Sequence, residues 1–312
     1  MHLPWFVGPW SAADGTRKSK WVRIAGRAGD APHKGTTYQP GSKVIWLMEA
    51  LQHVESEFAF LMDTDAIWLC NATEVIRKRS QLIREANSSE NSVVMFAEKG
   101  MWPPYQYFHG INLRLNQTAG YPPLSNGSYF RFINSGAALG RPQDLLAMYR
   151  CMAERYEEFP HACPAGHSES GKLLYYRESD GYRQPPVDRK NHAQQQRYHG
   201  RTLTGSNWGW DQACFHHYYL EQRNGELPAK CPPIVLDRVA RCLLHLAGVS
   251  DGKKTLRWSS RKDGKSETPR VTLKMTGESP CVLHANGPSK RALKPIWKWW
   301  NGQDKGLPPP DL

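Results

Sequence analysis

The chain has 312 residues, 39% of them hydrophobic, with 12 Trp, 13 Tyr and 9 Phe. That length suits one large α/β domain or two small ones, and the recurring apolar runs exclude disorder over the whole chain. No apolar stretch approaches the roughly 20 residues that span a bilayer. The net charge of +12 leaves nucleic acid, an acidic surface or a phosphorylated small molecule open as partners, beside the plain reading of a solvated basic surface.

In chain order, the opening MHLPWFVGPW is too short and wrongly flanked for a secretory signal, so the chain as given reads as soluble. Residues 1–42, rich in Gly, Pro and charge, read as mostly loop. From Lys43 the apolar residues Val44, Leu47, Leu51 and Val54 recur at helical spacing. Phe58 to Met62 is a continuous apolar run, as a buried strand requires, and it ends in Asp63-Thr64-Asp65. A helix fits Ala72 to Ala86, with Val75, Ile76, Leu82 and Ile83 on one face, Asn71 as its cap and Glu74 three residues on. Ser92 to Ala97 reads as another buried strand, followed by Glu98 and then an aromatic, Pro-rich loop from Met101 to Pro123.

Tyr129 to Ile133 reads as a strand that runs into Asn134-Ser135-Gly136. Pro142 opens a third helix at the favoured first position, with Leu145, Tyr149, Met152, Tyr156 and Phe159 as its stripe. Residues 160–205 are polar and without period, which reads as a long insertion. Order resumes at Trp208, with a helix near Asp211 and a short strand from Pro233 to Leu236. Residues 248–279 read as loop apart from a strand over Arg270 to Met275. Pro280 to Leu283 is the last apolar run, ending at His284, and residues 301–312 form a loose tail after one domain spanning 43–300. Strands alternating with helices predict an α/β fold with a mixed, mostly parallel sheet flanked by helices. In such sheets ligands bind beyond the carboxyl ends of the strands, so the strand-end residues carry the functional interest.

The seven cysteines contain no CxxC pair, which argues against a structural zinc site; in an oxidising compartment their odd number leaves at least one thiol free. Four Asn-x-Ser/Thr triplets begin at Asn71, Asn87, Asn116 and Asn126 and permit glycosylation in a secretory compartment.

Asp63 and Asp65 follow an apolar strand directly, and such hard oxygen ligands suit Mg²⁺ or Mn²⁺. A cation there would neutralise a diphosphate leaving group; the plain alternative is a polar turn at a strand end. His284 ends a second apolar run and suits a third ligand, its alternative being a His in a Gly-Pro turn. Lys290 suits a phosphate as a point charge, or simple exposure. Asp211 reads as a helix cap or as a carboxylate facing a cleft. Glu98 ends its strand, solvated or turned into the cleft, and Asn134-Ser135-Gly136 reads as a β-bulge or as a place where a ligand approaches the backbone closely. His161, Cys163, His167 and His216-His217 match no zinc pattern, and no Gly-rich phosphate loop, GxSxG or HExxH is present.

Six stretches occur in order: SKVIWLMEAL (42–51), FAFLMDTDAIWL (58–69), VVMFAEKGMWP (93–103), RFINSGAALG (131–140), DQACFHHYYL (211–220) and CVLHANGPSK (281–290). Together they resemble the glycosyltransferase domain of the procollagen lysyl hydroxylase family and, more distantly, the procollagen galactosyltransferases. The last stretch is the most specific, for the family shows a similar His-x-Asn-Gly-Pro-x-Lys segment. The resemblance implies a GT-A type, Rossmann-like fold, a UDP-sugar donor and Mn²⁺ (or Mg²⁺). It implies that Asp65 and His284 are metal ligands with Asp63 as partner carboxylate. It places Lys43, Asp63, Gly287 and Lys290 against the nucleotide, Asn134 and Asp211 toward the sugar and acceptor, and Glu98 and Trp102 on the acceptor side.

The chain departs from the family in three places. One residue, not two, separates Asp63 from Asp65; Asn207-Trp208-Gly209-Trp210 replaces a run of Asp before Asp211; and residues 1–42 match the family's first nucleotide-binding strand and helix poorly, so that part is truncated or diverged. The expected activity is transfer of a hexose, glucose or galactose, from a UDP-sugar to a hydroxyl of a glycan or glycoprotein, in a secretory lumen if the family's habit holds. The alternatives are an inactive glycosyltransferase-like module that binds a sugar nucleotide or glycan, and a nucleic-acid binder, for which the chain shows charge and aromatics but no motif.

Overall fold

The computed structural model describes residues 5–10, 22–24, 40–63, 66–99, 130–156, 159, 162–167, 173–177, 210–246, 256–263, 266–285, 296 and 298. In chain order they form strands β1 (Trp5–Trp10) and β2 (Val22–Ile24), helix α1 (Pro40–Leu51), β3 (Phe58–Met62), β4 (Ala66–Trp68), α2 (Ala72–Glu85), β5 (Val93–Glu98), β6 (Phe132–Gly140) and α3 (Pro142–Arg155). There follow β7 (Ala162–His167), β8 (Leu173–Arg177), α4 (Trp210–Arg223), β9 (Ile234–Asp237), β10 (Leu243–His245), β11 (Leu256–Asp263), β12 (Ser266–Leu273) and β13 (Val282–His284). Met101 to Pro123, the remainder of residues 160–205, and the tail 301–312 lie outside the described residues.

The central sheet has the order β2-β1-β3-β6-β5-β9. Its strands alternate sides with period 2, as extended chain must. Ala59 and Leu61 of β3, with Val93, Met95 and Ala97 of β5, join a cluster built on α1, α3 and α4, including Leu47, Leu145, Met152 and Phe215. Phe60, Met62, Val94 and Phe96 join the opposite cluster with Val75, Leu82 and Ile83 of α2. Both faces of the sheet are therefore covered by helices, which is the α/β arrangement expected.

Strand direction is a correction. Among the described strands of this sheet only the β5–β9 pairing is parallel; β1–β2, β1–β3, β3–β6 and β5–β6 are all antiparallel. A strand buried on both faces is a continuous apolar run whichever way its neighbour points, so the apolar pattern carries no information on direction. A second sheet, in the order β10-β13-β4, pairs β10 with β13 in parallel and β13 with β4 antiparallel.

Three segments expected as loop contain strands. Residues 1–42 hold β1 and β2, and β1 lies along β3 with Phe6 opposite Met62. Helix α1 begins at Pro40, three residues before Lys43. Residues 160–205 hold the antiparallel β7–β8 pair; in residues 248–279 the strand expected over Arg270 to Met275 overlaps β12, which starts four residues earlier and pairs with the unexpected β11, and Leu256, Val271 and Leu273 of this hairpin are buried. The β11–β12 hairpin intersperses polar residues among the apolar ones, which hides a strand from a search for continuous apolar runs, whereas Leu173-Leu174-Tyr175-Tyr176 of β8 is itself a short apolar run inside a polar segment.

Local chemistry fixes the start of α2 as expected. The N–H of Glu74 donates to Asn71 Oδ1 at 3.0 Å, satisfying a first-turn donor that has no partner inside the helix. Disulfides join Cys70 to Cys281 and Cys151 to Cys231; Cys214 is also disulfide-bonded, and Cys242 is a buried free thiol. The Cys70–Cys281 bond links residues 211 positions apart and ties the segment after β4 to the residue that begins the approach to His284.

Candidate functional site

β3, β5, β10 and β13 each deliver a polar residue at or just past the carboxyl end: Asp63, Glu98, His245 and His284. What draws them together is an irregularity in β6. Met95 of β5 pairs with Ala138, but the next residue, Phe96, pairs with Asn134, so Ser135, Gly136 and Ala137 bulge out of the ladder. The bulge closes on itself, for the Gly136 N–H donates to Asn134 Oδ1 at 2.7 Å. The Asp63 N–H donates to the Gly136 carbonyl at 2.7 Å, anchoring the exit of β3 to it. The segment Asn134-Ser135-Gly136 thus carries the β-bulge that is one of its two expected readings.

Gly136 sits where three side chains converge. A Cβ there would lie 2.5 Å from His284 Cε1, 2.7 Å from Asn134 Oδ1 and 2.9 Å from Asp63 Oδ2, all shorter than a carbon atom tolerates. The residue must be glycine because these polar groups crowd its backbone. Asp63 Oδ2 and His284 Nε2 are 3.8 Å apart. His284 is 1% exposed, whereas the Asp63 side chain is 28% exposed, so the pair opens to solvent on the carboxylate side. Behind it, His284 Nδ1 and His245 Nδ1 are 2.8 Å apart, on residues paired in register between parallel strands.

On the other flank of the bulge stands Gln212 of α4. Its Nε2 donates to Glu98 Oε1 at 2.7 Å, and its Oε1 accepts from the Ser135 N–H at 3.3 Å. Both ends of the amide are used, which orients it and ties the Glu98 carboxylate to the bulge. Glu98, Asn134 and Gln212 are all buried.

Of the residues singled out from sequence, Asp63, Glu98, Asn134 and His284 come together around this bulge. Asp211 lies in the first turn of α4, one residue past its start at Trp210, so it is not the residue before the helix; its side chain and that of Lys43, in the first turn of α1, lie outside the described residues. Asp65, Trp102, Gly287 and Lys290 lie outside them altogether. His216 and His217 are buried in α4, and His217 Nε2 lies 3.6 Å from Glu221. Sequence reasoning missed two site residues. His245 ends the short run Leu243-Leu244 much as His284 ends Val282-Leu283, and that parallel was the available signal. Gln212 stands beside Asp211, and only its place on α4 distinguishes it.

Among the described residues no group of three or more His, Cys, Asp or Glu side chains is disposed to hold a metal ion. Asp63 and His284 supply a hard oxygen and an imidazole nitrogen, a donor pair compatible with Mn²⁺. No protein-family model matches the chain, and no curated protein matches it.

Proposed function

We propose that the chain is a metal-dependent glycosyltransferase of GT-A type that transfers a hexose from a UDP-sugar to a hydroxyl of a glycan or glycoprotein. The observation that carries this reading is the convergence of Asp63, Asn134 and His284 on Gly136. They come from three separate stretches of sequence, each of which resembles the same family of enzymes. A fourth, carrying Glu98, meets them through Gln212.

The roles follow from the chemistry of each group. Asp63, Asp65 and His284 are the residues that would hold Mn²⁺ or Mg²⁺; Asp63 Oδ2 and His284 Nε2 lie 3.8 Å apart. Such a cation, when bound, neutralises the charge that develops on a departing diphosphate. Lys43, Gly287 and Lys290 serve the nucleotide. Asn134 keeps its amide Nδ2 beside the bulge as a donor for a sugar hydroxyl, while its Oδ1 is held by the Gly136 N–H. Asp211 is assigned to the reacting sugar or the acceptor. Gln212 fixes Glu98, so this carboxylate presents the acceptor side with a rigid negative group. The Cys70–Cys281 and Cys151–Cys231 disulfides support an oxidising, secretory lumen as the place of action.

Calorimetric titration of UDP with and without Mn²⁺ tests the site. Binding that requires Mn²⁺ and is lost in Asp63→Ala and His284→Ala is expected. UDP binding indifferent to Mn²⁺ and to both substitutions would refute the metal site. Mn²⁺-dependent binding without turnover on any UDP-hexose would leave the same site in a binding module.

A further inference from the structure

We infer that Asn87 carries an N-linked oligosaccharide. The inference is independent of the proposed activity. It rests on the triplet Asn87-Ser88-Ser89, on the disulfides, and on the way α2 ends.

Disulfide bonds persist where the compartment is oxidising, and in a eukaryotic cell that lumen is also where asparagine is glycosylated. At the end of α2 the N–H of Asn87 donates to the Arg84 carbonyl and that of Ser88 to the Ile83 carbonyl, both at 3.0 Å. Asn87 closes the helix with φ 48, a left-handed conformation that asparagine adopts more readily than other side-chain-bearing residues. Asn87 is exposed, and its side chain makes no hydrogen bond among the described residues. Ser89, Glu90 and Asn91 beside it are exposed too, so a bulky substituent meets solvent.

Two further observations single the position out. Asn71, the other described triplet, is exposed but already used: its Oδ1 caps α2, and its Thr73 stands inside the first helical turn. Asn87 also precedes β5, whose six residues lead from Val93 to Glu98. It therefore precedes the entry of β5, whereas Asp63, Glu98 and His284 gather at the carboxyl ends of their strands, and a glycan there leaves the candidate site open. The step is substitution at an anomeric carbon. Nδ2 of Asn87 bonds to that carbon of a polyprenyl-diphosphate-linked oligosaccharide, the carbon–oxygen bond to the diphosphate breaks, and one amide proton leaves.

The test is the full chain directed into the secretory pathway of a eukaryotic cell and recovered from both medium and lumenal fraction. It is digested with a peptide N-glycosidase in heavy-oxygen water and mapped by mass. Conversion of Asn87 to heavy-labelled Asp is expected, together with loss of one glycan mass step in Asn87→Gln and in Ser89→Ala. Ser89→Ala keeps Asn87 in its turn, so a folding defect is separated from a lost acceptor sequence. The melting temperature of Ser89→Ala is expected to match the unsubstituted chain, whereas Asn87→Gln, which puts Gln at φ 48, is expected to melt lower. Asn87 recovered unmodified from either fraction, or Cys70 and Cys281 recovered as free thiols, would overturn the inference.

Discussion

His245 and His284 face each other Nδ1 to Nδ1 at 2.8 Å, with ring planes 70° apart, on strands paired in register. In such a contact one nitrogen carries the proton and the other accepts it. With Nδ1 of His284 committed to His245, Nε2 is the nitrogen that faces Asp63. A ligating His held through its other nitrogen keeps its ring orientation and basicity, and losing that partner typically costs 10–100-fold in metal affinity. His245→Leu is expected to weaken Mn²⁺ binding by roughly that factor, while His245→Asn, which retains an acceptor near Nδ1, restores much of it. Mn²⁺ titration followed by electron paramagnetic resonance reads the difference. Equal affinities in both variants would contradict the role.

Gly136→Ala places a methyl group 2.5 Å from the buried His284 ring. The ring is 1% exposed and cannot swing into water to make room. Overpacking of this kind costs about 1–3 kcal/mol, and here it also pushes His284 from Asp63. A lower melting temperature together with lost Mn²⁺-dependent UDP binding is expected; a variant that binds as the unsubstituted chain does would show that the crowding is not functional.

Gln212→Leu removes one hydrogen bond from the Glu98 carboxylate and one from the Ser135 N–H. A hydrogen bond to a charged group contributes about 1.5–3 kcal/mol, so a loss of stability of that order is expected in denaturant titration. Gln212→Glu sets a second carboxylate beside Glu98 and is expected to be the worse of the two at neutral pH, with the gap closing as pH falls.

Which parts of this arrangement the sequence announces depends on what each residue has to satisfy. β3 and α2 are legible because a fully buried strand has to be apolar throughout and a helix start needs a cap such as Asn71. Pro142 at the first turn of α3 is legible for the same kind of local reason. Strand direction is not, since the burial of β3 and β5 is the same for parallel and antiparallel neighbours. Asp63, Asn134 and His284 are each visible as strand-end residues. Their meeting at Gly136 is not, because it depends on a three-residue bulge in β6 set by the partner strand. His245 shows the same limit: its importance comes from the register with His284, which is a property of the pairing and not of either segment.

Acid stability turns on Glu221 in α4. Burial alone would raise its pKa, but His217 3.6 Å away, together with hydrogen bonds from Arg155 and Tyr156, outweighs burial and holds it at about 2, against an ordinary value of 4.5. The folded pKa is depressed, so the stabilisation is fully present above about pH 4.5 and is lost as pH falls toward 2. The shift corresponds to roughly 3 kcal/mol. Urea midpoints measured from neutral pH down into this acid range are expected to fall steeply, and Glu221→Gln to be less stable at neutral pH with a flatter profile. A parallel profile for the two proteins would remove Glu221 from the account of acid stability.

The most direct test of the proposed activity is UDP release from a panel of UDP-hexoses, with and without Mn²⁺, alongside Asp65→Ala and His284→Ala. Mn²⁺-dependent release from one donor in the presence of a hydroxyl acceptor, lost in both variants, is the expected result, and it also names the sugar. Release that persists in His284→Ala, or no release from a folded protein on any donor, would contradict the assignment of a catalytic metal site at Asp63 and His284.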